Sequence, residues 1–179
     1  MSKILKLLLI GGGHSHAIAL RLFGVHPIPG VHLTLITDVP KTPYSGMLPG
    51  HVAGLYSYDE THIDLVRLAS FAGAELILDK AVGLDLEKNL VICKDKSSPS
   101  KDKTGVEFDY LSLDIGSTPA TDSIPGDSRY IIPAKPVPQF LDAWEELIER
   151  ATQQPELPSS IAIVGGGAGG VELALNMHS

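Results

Sequence analysis

Two triple-glycine turns constrain this chain more than any other feature. Ile10-Gly11-Gly12-Gly13 closes an aliphatic run from Ile4 to Ile10, and Val164-Gly165-Gly166-Gly167 closes a second run that starts at Ser160. Runs that are apolar at nearly every position suit parallel strands covered on both faces. Each glycine cluster leads into a helical pattern, so the chain repeats one unit of strand, glycine turn and helix. In such a turn the first glycine permits the tight bend, the second lets the backbone approach a pyrophosphate, and the third lets helix and strand pack closely. The helix N-terminus then offers N–H groups and a positive dipole end to the phosphates. The second copy is complete, with Gly165, Gly167 and Gly170 satisfying G-x-G-x-x-G, whereas His16 stands at the third position of the first. One fingerprint alone also describes ligand-free βα turns; two in the same context make that reading much weaker.

Around the first turn the pattern predicts a complete βαβ unit, with a helix over His14–Phe23, a strand over Val31–Thr37 and a right-handed crossover. Dinucleotide-binding units of this kind place an acidic residue about twenty positions past the turn, on a ribose hydroxyl. Asp38 is the candidate, and it reads equally well as a turn-forming residue ahead of Pro40. Residues 41–54 are rich in Pro and Gly and are expected to form an ordered loop with room for a short helical turn. Ile63–Ala72 reads as a helix, and Glu75–Leu78, Ala81–Asp85 and Leu90–Cys93 as short strands, the last two joined in a hairpin. Residues 94–105 form a polar, solvated turn. Tyr110–Ile115 returns to strand character, Gln139–Ala151 has helical spacing, residues 155–158 make a linker, and Ser160–Val164 is expected to be a buried strand. The sum is an α/β fold of the Rossmann type, a parallel sheet with helices and a small antiparallel insertion. Its expected division is a first domain over 1–155 and the start of a second over 156–179.

Composition narrows the function classes. With 44% apolar and 20% charged residues the chain is an ordinary globular sequence. Its net charge of −7 and lack of any basic run argue against nucleic acid as a partner. Cys93 is the only cysteine, which rules out an internal disulfide, a CxxC pair or a multi-cysteine zinc site within these residues and suits a reducing, cytoplasmic setting. The apolar run before Gly11 is far short of the roughly 20 residues of a spanning helix, and too short for a signal peptide.

Four stations in order resemble the FAD-dependent pyridine nucleotide-disulfide oxidoreductase superfamily, in the branch without an active-site disulfide that includes type II NADH dehydrogenases and sulfide:quinone reductases. They are Gly11-Gly12-Gly13, the segment from Tyr110 to Ser117, Ile124-Pro125-Gly126, and the run from Gly165 to Glu172. More narrowly, Gly-Gly-Gly-His-Ser-His at 11–16 and the run Thr42 to His51 resemble the oxidoreductase fused to, or encoded near, selenide, water dikinase. That resemblance implies a partner by association only. It also implies an N-terminal piece of a longer enzyme, because the chain stops at Ser179, soon after Gly170.

The resemblance implies FAD as cofactor and NAD(P)H as co-substrate. Gly11, Gly12, Gly13 and the helix start at His14 would hold the FAD pyrophosphate, and Asp38 the adenosine ribose, with Thr37 as an alternative equivalent. Ser15 and His16 belong to the same turn, and His14 and His16 read equally well as phosphate neighbours or as exposed helix-start residues. Gly116 would let the chain pass close to the cofactor. Tyr44, Ser45 and His51 would line the flavin, while Glu172 would lie near nicotinamide and flavin or simply stabilise a helix dipole. Asp114-Ile115 departs from the family's usual Ala-Thr, and an acid there is unfavourable beside a pyrophosphate unless it points away. Relatives with a redox disulfide carry a cysteine pair after the second strand; residues 41–54 contain none. Electrons would then leave the flavin directly to a quinone or another small acceptor, with peripheral contact to a membrane allowed. The competing readings are a sulfide:quinone reductase-like enzyme and a non-catalytic nucleotide-binding module that regulates a fused or neighbouring dikinase.

Overall fold

The computed structural model describes residues 3–94, 105–120, 125, 130–156 and 160–178. In chain order the elements are β1 (Leu5–Ile10), α1 (His14–Val25), β2 (Val31–Thr37), β3 (Lys41–Pro43), a 3-10 turn (Ser45–Met47), α2 (Leu48–Val52), α3 (Tyr58–Thr61) and β4 (His62–Asp64). There follow α4 (Leu65–Ala72), β5 (Glu75–Leu78), β6 (Ala81–Asp85), β7 (Leu90–Cys93), β8 (Gly105–Glu107), β9 (Tyr110–Leu113), α5 (Val137–Gln153) and α6 (Ala168–Met177). They group into two compact units, Met1–Thr42 with Ile63–Gly116, and Pro43–His62 with Ser117–Ser179.

The first unit is built on a four-stranded sheet in the order β5-β2-β1-β9. All its pairings are parallel, with Leu7 opposite both Leu33 and Tyr110. The apolar run Leu7–Ile10 of β1 is explained by its two covered faces. Leu9, with Leu33 and Leu35 of β2, packs against Leu20 of α1 and Leu65 of α4. Leu8 and Ile10, with Ile36 and Ile77, pack on the opposite face against Val91 of an antiparallel sheet β6-β7-β8. Alternate residues of one strand thus enter two cores. The hairpin expected over residues 81–93 is the β6–β7 pair, and it turns at Asn89, whose φ is 51°.

The second unit has a helical core in which Leu48 and Val52 of α2 meet Val137, Phe140 and Leu141 of α5 and Leu173 of α6. A capping box starts α3: Ser57 accepts from the Glu60 amide while the Glu60 carboxylate accepts from the Ser57 amide. No helix among the described residues is long and apolar enough to cross a membrane.

Several expectations shift. Residues 41–54 are not simply a loop but contain β3, the 3-10 turn and α2. The helix expected from Ile63 begins at Leu65, because the Asp64 side chain caps it by accepting from the Arg67 amide at 2.9 Å. Gly105 opens β8 rather than closing a turn, and residues 95–104 lie outside the described residues. The largest correction concerns Ser160–Val164. It is neither a strand nor buried, with Val164 86% exposed. Apolar composition gives strand potential, but a strand exists only where a neighbour takes its backbone hydrogen bonds, and none among the described residues pairs with this segment.

Candidate dinucleotide site

The first glycine turn leaves the C-terminal end of β1 and enters α1. Gly11 has φ +91°, which an L-residue rarely adopts, and its amide donates to the Ile36 carbonyl at 2.8 Å. A Cβ on Gly11 would collide with the backbone carbonyl oxygen of Asp114, which follows β9. A Cβ on Gly12 would strike the Leu65 side chain of α4, and one on Gly13 the Asp114 carboxylate. At Gly11 the obstacle is backbone, so the missing side chain is required by the fold; at Gly12 and Gly13 it is a neighbouring side chain that a Cβ would displace, and the turn sits tightly against β9 and α4.

His16 replaces the third glycine in a way the sequence did not reveal. Instead of lying exposed at a helix start, its ring is only 4% exposed, and it bridges strand and turn. Nδ1–H donates to the Gly11 carbonyl at 2.7 Å, because a carbonyl can only accept; in the neutral ring Nε2 then accepts from the Ser112 hydroxyl at 2.9 Å. The close helix–strand contact that glycine gives by small size is supplied here by two hydrogen bonds to a buried ring. His16 thus serves the turn as a brace. Ser112 is the partner that sequence reasoning missed, and no local signal marks it.

The N-cap of α1 is Gly13, which has no side chain to cap the helix. Asp114 fills that role from across the sheet: its Oδ2 accepts from the His16 amide at 3.2 Å. The acid that the sequence marks as unfavourable beside a pyrophosphate unless it points away is turned toward the glycine turn. The amides of Gly12, Gly13 and Ser15 have no acceptor among the described residues, so the turn retains N–H groups able to meet an anion. Ser15 itself is exposed. Asp38 is exposed at the end of β2, whereas Thr37 is buried with its hydroxyl donating to the Val39 carbonyl at 3.2 Å. Of the two alternatives for the ribose contact, only Asp38 offers its side chain to solvent. Gly116 has φ +74° with open space around it.

In the second unit, Tyr44 and His51 line one shallow surface depression together with Leu48, Thr61, His62 and Val137. His51 Nδ1–H donates to the Tyr56 carbonyl at 2.8 Å, and the His62 ring stacks on Tyr58 with centroids 3.6 Å apart. His62 and Thr61 were not anticipated as companions of Tyr44. Ser45 is exposed and starts the 3-10 turn. At the second glycine turn Gly165 has φ +122°, and a Cβ on Gly170 would collide with the Gly165 carbonyl oxygen, so the third glycine permits close packing of turn and helix. Nothing lies within 4 Å of a Cβ built on Gly167, the N-cap of α6, which leaves the helix end open to a ligand. Glu172 is exposed on the first half of α6. Of the Ile124-Pro125-Gly126 station, Ile124 and Gly126 lie outside the described residues.

A parallel sheet whose first strand passes through a glycine turn into a helix, with an exposed acid at the tip of the second strand, defines a Rossmann-like fold. The family profile described as pyridine nucleotide-disulphide oxidoreductase matches residues 5–179, and the chain belongs to that family. Comparison with curated protein sequences finds no match. Among solved structures, the chain is similar to NDH2 from Plasmodium falciparum in complex with NADH, at 19% identity and TM-score 0.73 over 97% of this chain and 37% of that one. It is also similar to reduced CoADR-RHD from Bacillus anthracis, at 19% identity and TM-score 0.74 over 99% of this chain and 31% of that one. The sulfide:quinone oxidoreductase of Aquifex aeolicus matches at 21% identity and TM-score 0.58 over 84% of this chain and 33% of that one. The chain therefore spans about a third of the length of these structures, and at such identities the likeness is one of fold.

Proposed function

We propose that this chain is the FAD-binding part, with the opening of the NAD(P)H-binding part, of a flavoprotein oxidoreductase. Its substrates would be NAD(P)H and a quinone or other small acceptor. The observation that carries the reading is the first glycine turn: Gly11 closed to any side chain by backbone, the Gly12, Gly13 and Ser15 amides without an acceptor among the described residues, and Asp38 exposed at the next strand tip. These features suit a dinucleotide laid across the C-terminal edge of a parallel sheet. Gly12, Gly13, His14 and Ser15 would meet the diphosphate through the backbone, with Gly11 making the tight bend that lets it approach, His16 bracing the turn and Asp38 on the ribose. Gly116 would let the chain run close to the cofactor. Tyr44 and Ser45 would lie by the flavin, Gly165, Gly167 and Gly170 would receive the nicotinamide dinucleotide, and Glu172 would stand near it. FAD, when bound, supplies the hydride and electron chemistry; the protein supplies position and electrostatics.

The functional division at 1–155 and 156–179 follows from that assignment. Direct transfer from flavin to acceptor is favoured by the lack of cysteine in residues 41–54 and by the position of Cys93 in β7 of the antiparallel sheet. A cytoplasmic location, with peripheral membrane contact where the acceptor is a quinone, is consistent with the absence of an apolar spanning helix among the described residues. A functional link to selenide, water dikinase is supported only by the runs at 11–16 and 42–51.

Titration of the purified chain with FAD tests the proposal. Quenching of flavin fluorescence that saturates is the expected result, and ADP should compete. Unchanged flavin fluorescence across the titration rejects the assignment.

A further inference from the structure

The carboxylate of Asp114 stands at the N-terminal end of α1, where the proposed function puts the diphosphate. Its Oδ2 accepts from the His16 amide at 3.2 Å, in the first turn of a 12-residue helix that has no cap of its own. A Cβ placed on Gly13 would lie 2.6 Å from its Cγ and 2.8 Å from its Oδ1, so the carboxylate is seated against the turn rather than merely near it. The backbone fixes it there, because the Asp114 amide donates to the Ile10 carbonyl at 2.9 Å and so continues the β1–β9 pairing. The brace of His16 between Gly11 and Ser112 holds the receiving end of the helix in place. One negative charge thus already sits at the positive end of α1.

Resting on the reading of this turn as a diphosphate clasp, we propose that Asp114 is a built-in competitor for the anion site of α1 and thereby sets the affinity and charge selectivity of the turn. With no ligand, the carboxylate satisfies the His16 amide and screens the helix dipole. A diphosphate arriving at the remaining amides meets a like charge, so binding requires the Asp114 side chain to rotate away or to tolerate the repulsion. The residue acts on the phosphates only and leaves the adenosine contacts alone.

Asp114→Asn keeps the size and an acceptor for the His16 amide but removes the charge. Calorimetric titration of wild type and variant with inorganic pyrophosphate, ADP, FAD and adenosine separates the cases. Loss of one like charge at contact distance in a partly solvated site should tighten pyrophosphate, ADP and FAD roughly tenfold. Adenosine, which has no phosphate, should bind both proteins alike. Asp114→Ala, which removes cap and charge together, should also gain pyrophosphate affinity while melting at a lower temperature. Equal or weaker pyrophosphate binding in both variants overturns the proposal, as does an equal gain for adenosine. A gain for pyrophosphate with no FAD binding in any of the proteins sustains the role of Asp114 and instead removes FAD from the proposed function.

Discussion

Replacing Gly11 by alanine probes the turn most directly, and Gly30→Ala is its matched control. Both glycines have positive φ, +91° and +81°, so each alanine incurs the backbone cost of a left-handed conformation. That cost is about 1–2 kcal/mol, partly offset by the smaller entropy of the unfolded alanine chain. The two sites differ in what the new methyl meets. At Gly30 nothing lies within 4 Å, whereas at Gly11 the methyl runs into the Asp114 carbonyl oxygen. That oxygen is backbone beside a strand paired to β1, and it cannot swing aside without disturbing the β1–β9 register. Overpacking of this kind adds about 1–3 kcal/mol, so Gly11→Ala should lose about 2–4 kcal/mol in total and Gly30→Ala about 1 kcal/mol. With a urea dependence of about 1–3 kcal/mol per molar, that difference of about 1–3 kcal/mol should place the midpoint of Gly11→Ala roughly 0.3–3 M below that of Gly30→Ala. Far-UV circular dichroism during urea unfolding reads the midpoints, and hydrogen exchange of the β1 amides locates the loss. Coincident midpoints for the two variants would refute the reasoning, since the steric difference between the sites is the whole of the argument.

Three further outcomes are expected. Ser57→Ala removes the hydroxyl of the α3 capping box and should cost about 1 kcal/mol in chemical denaturation, with Ser57→Thr close to wild type. The Lys3 ammonium, hydrogen-bonded to Asp109 at 2.6 Å, holds that carboxyl below its ordinary range, and the Lys6 amide adds to the effect. A carboxyl depressed in the folded state stabilises above its unfolded value and loses that contribution as pH falls through the folded value; Lys3, raised by the same contact, stabilises below its unfolded value and loses the contribution as pH rises through its folded one. Asp109→Asn should therefore flatten the acid limb of the melting temperature against pH, with the difference from wild type opening above the carboxyl range and narrowing at strongly alkaline pH, where Lys3 is neutral and only the Lys6 amide still favours the carboxylate. Burial first, and the nearby Asp79 second, push the Cys93 thiol up, so a thiol-specific disulfide reagent at neutral pH should label Cys93 more slowly than a free cysteine, and Asp79→Asn should speed the labelling. Labelling as fast as the free amino acid would contradict this.

The glycine turns, β1, α1 and β2 were legible in the sequence because their causes are local. A nearly continuous aliphatic run, three glycines and a helical period each act within a few residues, and both strand ends of β2 fall where the pattern puts them. A local signal was also present for α3, the Ser57-x-x-Glu60 spacing, although it opens a helix too short for hydrophobic periodicity to register. Other features had no local cause to read. Ser160–Val164 has the composition of a core strand and is exposed, since pairing is decided by a neighbour and not by the segment itself. His16 could be read as an exposed ring until Ser112, far along the chain, supplied the partner that makes its burial tolerable. The aim of Asp114 is of the same kind, since its contact with His16 spans 98 positions of sequence. Sequence by itself determined the kind of turn this protein builds and the sheet it is built on, through short-range sterics and periodicity. Only the tertiary structure decided that the helix end is already met by a carboxylate, because β9 brings Asp114 beside α1 when it pairs with β1.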